Sequence, residues 1–169
     1  IALSEIKQSK EPLGSTFHYI KDFGDVSGDH ISLKTTIKNV YKDKWAVCQK
    51  TRIVILGKYG AHIIPFAIPG CVSDIDLLLN DVYLNGKEND LSAFSTDFTI
   101  QKNIQIDIDN KKVSILINDK EIYRNSYDES IGKLVGIRYR FVGAIEVSDI
   151  EITDTKTKSI VLKEDFTVK

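Results

Sequence analysis

Apolar and polar residues alternate along most of this chain. Ile31, Leu33, Thr35 and Ile37 are interleaved with Ser32, Lys34, Thr36 and Lys38, and Ile104, Ile106 and Ile108 with Gln105, Asp107 and Asp109. Val113, Ile115 and Ile117 continue the rhythm, as do Val135, Ile137, Tyr139 and Phe141 between Gly136, Arg138 and Arg140. A period of two buries one face of a strand and wets the other, the mark of antiparallel sheets. No stretch repeats apolar residues at three- and four-residue spacing over the length a helix needs. Only 2–10 suggests a turn of helix, so 1–12 is expected to be irregular or briefly helical.

Pairing follows from the same arithmetic. Joining 104–108 to 113–117 through Asp109, Asn110, Lys111 and Lys112 sets Ile108 against Val113, Ile106 against Ile115 and Ile104 against Ile117. A one-residue slip would turn every isoleucine outward. Asp and Asn suit the four-residue turn. A second turn over Asn118, Asp119, Lys120 and Glu121 brings Ile117 opposite Ile122, which makes a three-stranded meander. Near the end, Ile145 and Val147 share one phase while Ile150 and Ile152 take the other. One extra residue at Ser148 or Asp149 reconciles them, so a β-bulge is expected there.

Strands are expected at 14–23, 30–39, 46–56, 61–67, 73–79, 81–84, 96–100, 103–109, 112–118, 121–126, 134–142, 144–153 and 158–166. About a dozen short strands punctuated by glycine, with Pro12, Pro65 and Pro69 outside the cleanest alternating runs, predict an all-β antiparallel two-sheet sandwich. No linker or repeat divides the chain, so 1–169 is expected to be a single domain.

Composition narrows function by exclusion. The 169 residues are 42% hydrophobic and 28% charged, with a formal net charge of −1. That balance suits a folded soluble chain and offers no field for nucleic acid. No apolar run approaches the roughly 20 residues of a membrane helix. The chain starts at Ile1 and contains no Met, and is read as an excised fragment or mature domain. Cys48 and Cys71, with only His18, His30 and His62, show no zinc spacing. Two buried thiols is the plainer reading of the cysteines. A disulfide between them is the alternative, and would imply an oxidising compartment.

Three segments together resemble a known architecture. They are 22–29 leading into the strand at 31–39, the meander 103–123 with its Asn118–Asp119–Lys120 turn, and 136–152 followed by 161–166. They resemble concanavalin A-like and laminin-G-like β-sandwich (jelly-roll) modules of Bacteroidetes-type bacterial envelope proteins. The resemblance departs from the pattern at Asp119, where such a turn usually has Gly, and at Ala144 and Glu146. It implies a non-catalytic recognition module, binding a glycan or another domain of its own chain, at the periplasmic side or cell surface within a larger or membrane-anchored protein. Such folds also commonly hold Ca²⁺, and Asp22, Asp25 and Asp29 share one glycine-bearing segment with the oxygen ligands that ion prefers. Turn formation by Asp and Gly explains the same residues without a metal.

Concanavalin-like folds include glycosidases, which place two carboxyl groups about 5–5.5 Å apart for retention and further for inversion. Asp74 with Asp76, Asp107 with Asp109, and Asp149 with Glu151 have strand spacing that puts both on one face. The sandwich glucanases carry Glu-x-Asp-x-x-Glu on one strand. Glu146, Asp149 and Glu151 run in another order across the expected bulge, so the enzyme reading is secondary. No nucleophile elbow or phosphate loop occurs. Sugars are held by exposed rings and planar polar groups. Tyr41, Trp45, Tyr59 and His62 fall within one stretch, and Tyr83 and Asn85 lie in the turn-rich 80–95. These six are the expected ligand-binding residues, with core capping as the simpler role for Trp45.

Overall fold

In the computed structural model, which describes residues 15–39, 48–142 and 145–166, the isoleucine hairpin forms in the expected register. β7 (Lys102–Asp109) pairs with β8 (Lys112–Ile117), with Ile108 opposite Val113, Ile106 opposite Ile115 and Ile104 opposite Ile117. The turn is tighter than four residues. Asp109 itself pairs with Lys112, leaving Asn110 and Lys111 with φ of 48° and 63°. A two-residue turn with both φ positive matches the right-handed twist of the strands it joins, and Asn tolerates that conformation.

The next hairpin corrects the sequence reading. Asn118 and Asp119 (φ 48° and 64°) again form a two-residue turn, so Ile117 faces Lys120 rather than Ile122. β9 (Lys120–Ser126) then carries Ile122 as an extra residue, and Ile115 meets Tyr123. The bulge expected near Ser148 is present. β11 (Ile145–Asp154) shifts register against β2 (His30–Asn39) between Val147 and Asp149.

The remaining strands are β1 (Ser15–Ile20), β3 (Lys50–Gly57), β4 (Ala61–Ala67), β5 (Asp76–Leu79), β6 (Val82–Asn85), β10 (Leu134–Val142) and β12 (Ile160–Asp165). They form two six-stranded antiparallel sheets, β1-β10-β3-β4-β5-β6 and β12-β11-β2-β7-β8-β9. The strand expected at 96–100 does not form. Asp97 accepts hydrogen bonds from the amide and hydroxyl of Thr99, a local bond that competes with a ladder. Phe98 there is buried, edge-on to Phe66 at 6.2 Å. The N-terminal segment 1–12 lies outside the described residues.

Between the sheets, Ile31, Leu33, Ile106 and Ile152 from one side meet Ile53, Ile64, Ile137 and Phe141 from the other, all fully buried. Burying each such side chain contributes about 1.5–3 kcal/mol. Tyr139 crosses this core and donates to Thr35 Oγ1 (3.0 Å), which donates to the carbonyl of Asp149 (2.7 Å). This polar path between the sheets is therefore satisfied at each step, as burial demands. At one end, loop 127–132 closes over the β3–β4 turn. A Cβ on Gly57 would lie 2.2 Å from the Ile131 carbonyl, so only glycine permits that approach. No helix among the described residues is long and apolar enough to cross a membrane.

Candidate functional site

The residues expected to bind ligand do not converge. Tyr41 and Trp45 lie outside the described residues. Tyr59 is exposed on the β3–β4 turn, with Lys58 Nζ 5.1 Å from its ring centroid. His62, three residues on, points the other way. It is fully buried, lies 4.5 Å from the ring of Tyr127, and neither ring nitrogen has a hydrogen-bond partner. Burial pushes its pKa down to about 4, against smaller opposing effects of Asp29 and Asp81. The reason is β4 itself, where Pro65 and Ala67 are buried as well as His62, Ile64 and Phe66, so no polar phase reveals which side is wet.

Tyr83 and Asn85 sit on the edge strand β6, remote from Tyr59 in the sheet. Tyr83 is exposed and donates to Asp76 Oδ1 (3.0 Å), a bond that raises its pKa. Asn85 is occupied by its own turn, accepting from the amides of Lys87 (3.1 Å) and Glu88 (3.0 Å) and donating to Glu88 Oε2 (2.9 Å).

The three aspartates proposed for Ca²⁺ turn to three different partners. Asp22 accepts from the Gly24 amide (2.7 Å), and Asp25 pairs with Lys133, whose hydrogen bond holds the carboxyl below the usual range. Asp29 is buried and accepts from Tyr127 Oη (2.6 Å), from Ser130 Oγ and from the Ile131 amide (3.3 Å). Its lone pairs serve protein donors, which ties the loop at 127–132 to the start of β2. Among the described residues no three His, Cys, Asp or Glu side chains are grouped to hold a metal. The plainer reading of the cysteines as free thiols also gives way. Cys48 and Cys71 form a disulfide with their Cα atoms 5.5 Å apart.

At least one member of each acid pair is engaged too. Asp107 accepts from Ser32 (2.6 Å) and Gln105 (2.7 and 3.0 Å), and Asp109 pairs with His30 Nδ1 at 3.0 Å. That hydrogen bond lowers the Asp109 pKa, the opposite of what a general acid requires. Glu151 accepts from Lys163 (2.9 Å), and Asp76 is shared between Arg52 and Tyr83.

What the sequence did not reveal is a groove of about 560 Å³ on the outer side of the second sheet. Strand registers explain it. Lys163, Glu151, Lys34 and Gln105 align across β12, β11, β2 and β7, and Asp165, Asp149, Thr36 and Asn103 align beside them. Asp119, on the β8–β9 turn, adds a further wall. These are the wet-phase residues of strands whose other phase fills the core, so the groove and the core are two sides of one alternation. Some polar atoms are spent internally, as when Gln105 Nε2 holds Asp107 and Thr36 donates to Asn103 Oδ1 (3.4 Å). The Lys34 ammonium, the Asp149 carboxylate, Asn103 Nδ2 and Gln105 Oε1 have no partner among the described residues. Donors and acceptors thus stand together on a rigid floor, the complement of a ligand carrying many hydroxyls.

Two stacked six-stranded antiparallel sheets define an all-β, concanavalin-like sandwich. No family model matches this chain and no curated protein matches it. Among solved structures it is similar to a tetrameric galectin from the sponge Cinachyrella sp. (8% identity, 80% of this chain and 97% of that one, TM-score 0.52). It is also similar to the homodimeric agglutinin CG-16 from chicken liver (12% identity, 82% and 100%, TM-score 0.51). A third similarity is to botulinum neurotoxin type C, in a structure concerning its interaction with two ganglioside molecules (14% identity, 89% of this chain and 37% of that one, TM-score 0.50). At these identities the likeness establishes the fold.

Proposed function

We propose that this chain is a single, non-catalytic glycan-recognition domain whose ligand lies in the groove of the second sheet. The observation that carries the reading is the set of unengaged polar groups of Lys34, Asn103, Gln105 and Asp149 on one groove floor. Amide, ammonium and carboxylate groups at fixed strand spacing match successive sugar hydroxyls, and a preformed sheet loses little entropy on binding. The sandwich likeness to an agglutinin and to a toxin that interacts with gangliosides supports this assignment. So does the engagement of Asp107, Asp109 and Glu151 by Ser32, His30 and Lys163. The setting proposed is periplasmic or at the cell surface, in a larger or membrane-anchored bacterial protein, and the disulfide supports only the oxidising compartment this requires.

The test is a glycan array followed by amide NMR titration of the intact chain with the best-bound oligosaccharide. Shifts are expected at Lys34, Asn103, Gln105 and Asp149, and Gln105→Ala with Lys34→Ala should weaken binding by about tenfold or more. Shifts confined to the Tyr59 turn or to β6, or no bound glycan at all, would remove the assignment.

A further inference from the structure

The groove on the second sheet carries an uneven charge. It is lined by five carboxylates and two ammonium groups, on a chain whose net charge is only −1. Two of the five are answered from inside the protein: Glu151 accepts from Lys163 (2.9 Å) and Glu164 from Tyr19 Oη (2.9 Å). Lys163 is thereby spent, which leaves Lys34 as the other cation of the groove. Against it stand Asp149 and Asp119, whose carboxylates have no partner among the described residues.

The fold holds these two carboxylates apart. Asp149 of β11 and Asn103 of β7 flank Thr36 of β2, two strand spacings or about 9.5 Å from each other. Asp119 sits beyond Asn103, because the β8–β9 turn is tied there. The Asn103 amide donates to Asn118 Oδ1 (2.9 Å), and the Asn118 amide donates to the Asn103 carbonyl (2.8 Å). One carboxylate therefore stands on each side of a floor that carries the amides of Asn103 and Gln105. Among the described residues no Phe, Tyr or Trp lines the groove. The apolar side of a sugar finds no ring to stack on there, so hydrogen bonds and charge do the selecting.

Resting on the assignment of this groove to a glycan, we propose that the glycan it selects is an oligomer of amino sugars with free, protonated amines. The amines seat on Asp149 and Asp119, and hydroxyls between them bond Asn103 and Gln105. A glycan bearing carboxylate or sulfate brings like charge to both sides of the groove and meets Lys34 as its only unspent cation among the described residues. A neutral glycan suits the floor but leaves both carboxylates unanswered. A basic peptide answers the carboxylates but lacks the hydroxyls that the amides suit. Exposed ion pairs contribute modestly, so the two together set a preference of about tenfold.

The test titrates the intact chain with oligomers of matched length: glucosamine and galactosamine oligomers with free amines, their N-acetylated counterparts, oligogalacturonate and oligolysine. Amide NMR locates the binding and calorimetry gives the affinity. A free-amine oligomer is expected to shift Asn103, Gln105 and Asp149 and to bind about tenfold more tightly than its acetylated form. That advantage should shrink with salt and as pH rises above the pKa of the sugar amine. Asp119→Asn with Asp149→Asn should abolish the advantage while leaving the affinity of the acetylated oligomer and the thermal midpoint unchanged. Four results overturn the proposal: no groove shifts from either free-amine oligomer, acetylated or galacturonate oligomers binding there as tightly, oligolysine matching the amino sugars, or an advantage that survives the double asparagine variant. Groove shifts from a neutral or acidic sugar would overturn this preference alone and leave the glycan assignment standing, whereas no groove shifts from any sugar would remove both.

Discussion

His62 should make this fold lose stability in mildly acidic solution. It is buried, lacks a partner for either ring nitrogen, and has its pKa lowered to about 4 from 6.5 by burial. A base whose folded pKa is depressed refuses a proton that the unfolded chain accepts. Stability is therefore full above pH 6.5 and falls as pH drops towards 4. Linkage over that interval gives a loss of about 2 kcal/mol between roughly pH 7 and pH 5, and about 3 kcal/mol by roughly pH 4. Carboxylates such as Asp81 and Asp97, whose pKa values are lowered by hydrogen bonds from backbone and side chains, lose their contribution only below the ordinary Asp value of 3.8. The two effects are thus separated in pH. Urea denaturation at stepped pH should show the midpoint falling through the upper window, and His62→Phe should flatten that window while keeping the ring against Tyr127. A wild-type profile level from pH 7 to 4.5, or an equal slope in His62→Phe, would refute the reasoning.

Replacing Cys48 and Cys71 with serine opens a loop closed across 23 residues of sequence separation and should cost about 3 kcal/mol, read as a lower urea midpoint. Asp29→Ala strips the buried Tyr127 hydroxyl of its acceptor and should cost about 3 kcal/mol. A loss below about 1 kcal/mol in the same assay would mean that another acceptor serves Tyr127. Asp119→Gly should raise the thermal midpoint, because the residue has φ of 64° and glycine adopts that conformation at about 1 kcal/mol less cost.

Legibility followed the range of the interaction. The β7–β8 register and the β11 bulge could be derived because each depends on neighbours in sequence and on which phase is apolar. The details that failed were local as well, but turned on backbone conformations that residue type only biases. Asn110–Lys111 and Asn118–Asp119 both took two-residue turns where longer ones were expected. At 96–100, the side chain of Asp97 outcompeted a ladder.

The candidate site was illegible for another reason. Lys34, Asn103, Gln105, Asp149 and Glu151 line the groove from the polar phase of their strands, and each reads in the sequence as an ordinary surface position. Nothing in that pattern says that Lys34 lies beside Glu151, more than a hundred positions away. His62 misled in the reverse sense, since β4 is covered on both sides and carries no alternation to show where the ring points.

The amino-acid order by itself determined that the chain makes strands, which side of most of them is dry, and where two neighbours meet, because steric pleating and the exclusion of apolar groups from water act over a few residues. Tertiary structure alone decided the order of strands, with β10 inserted between β1 and β3. It also decided the closure of Cys48 on Cys71 and the gathering of scattered polar side chains into one groove. Those outcomes depend on which distant surfaces bury each other best, a comparison made only when the whole chain packs.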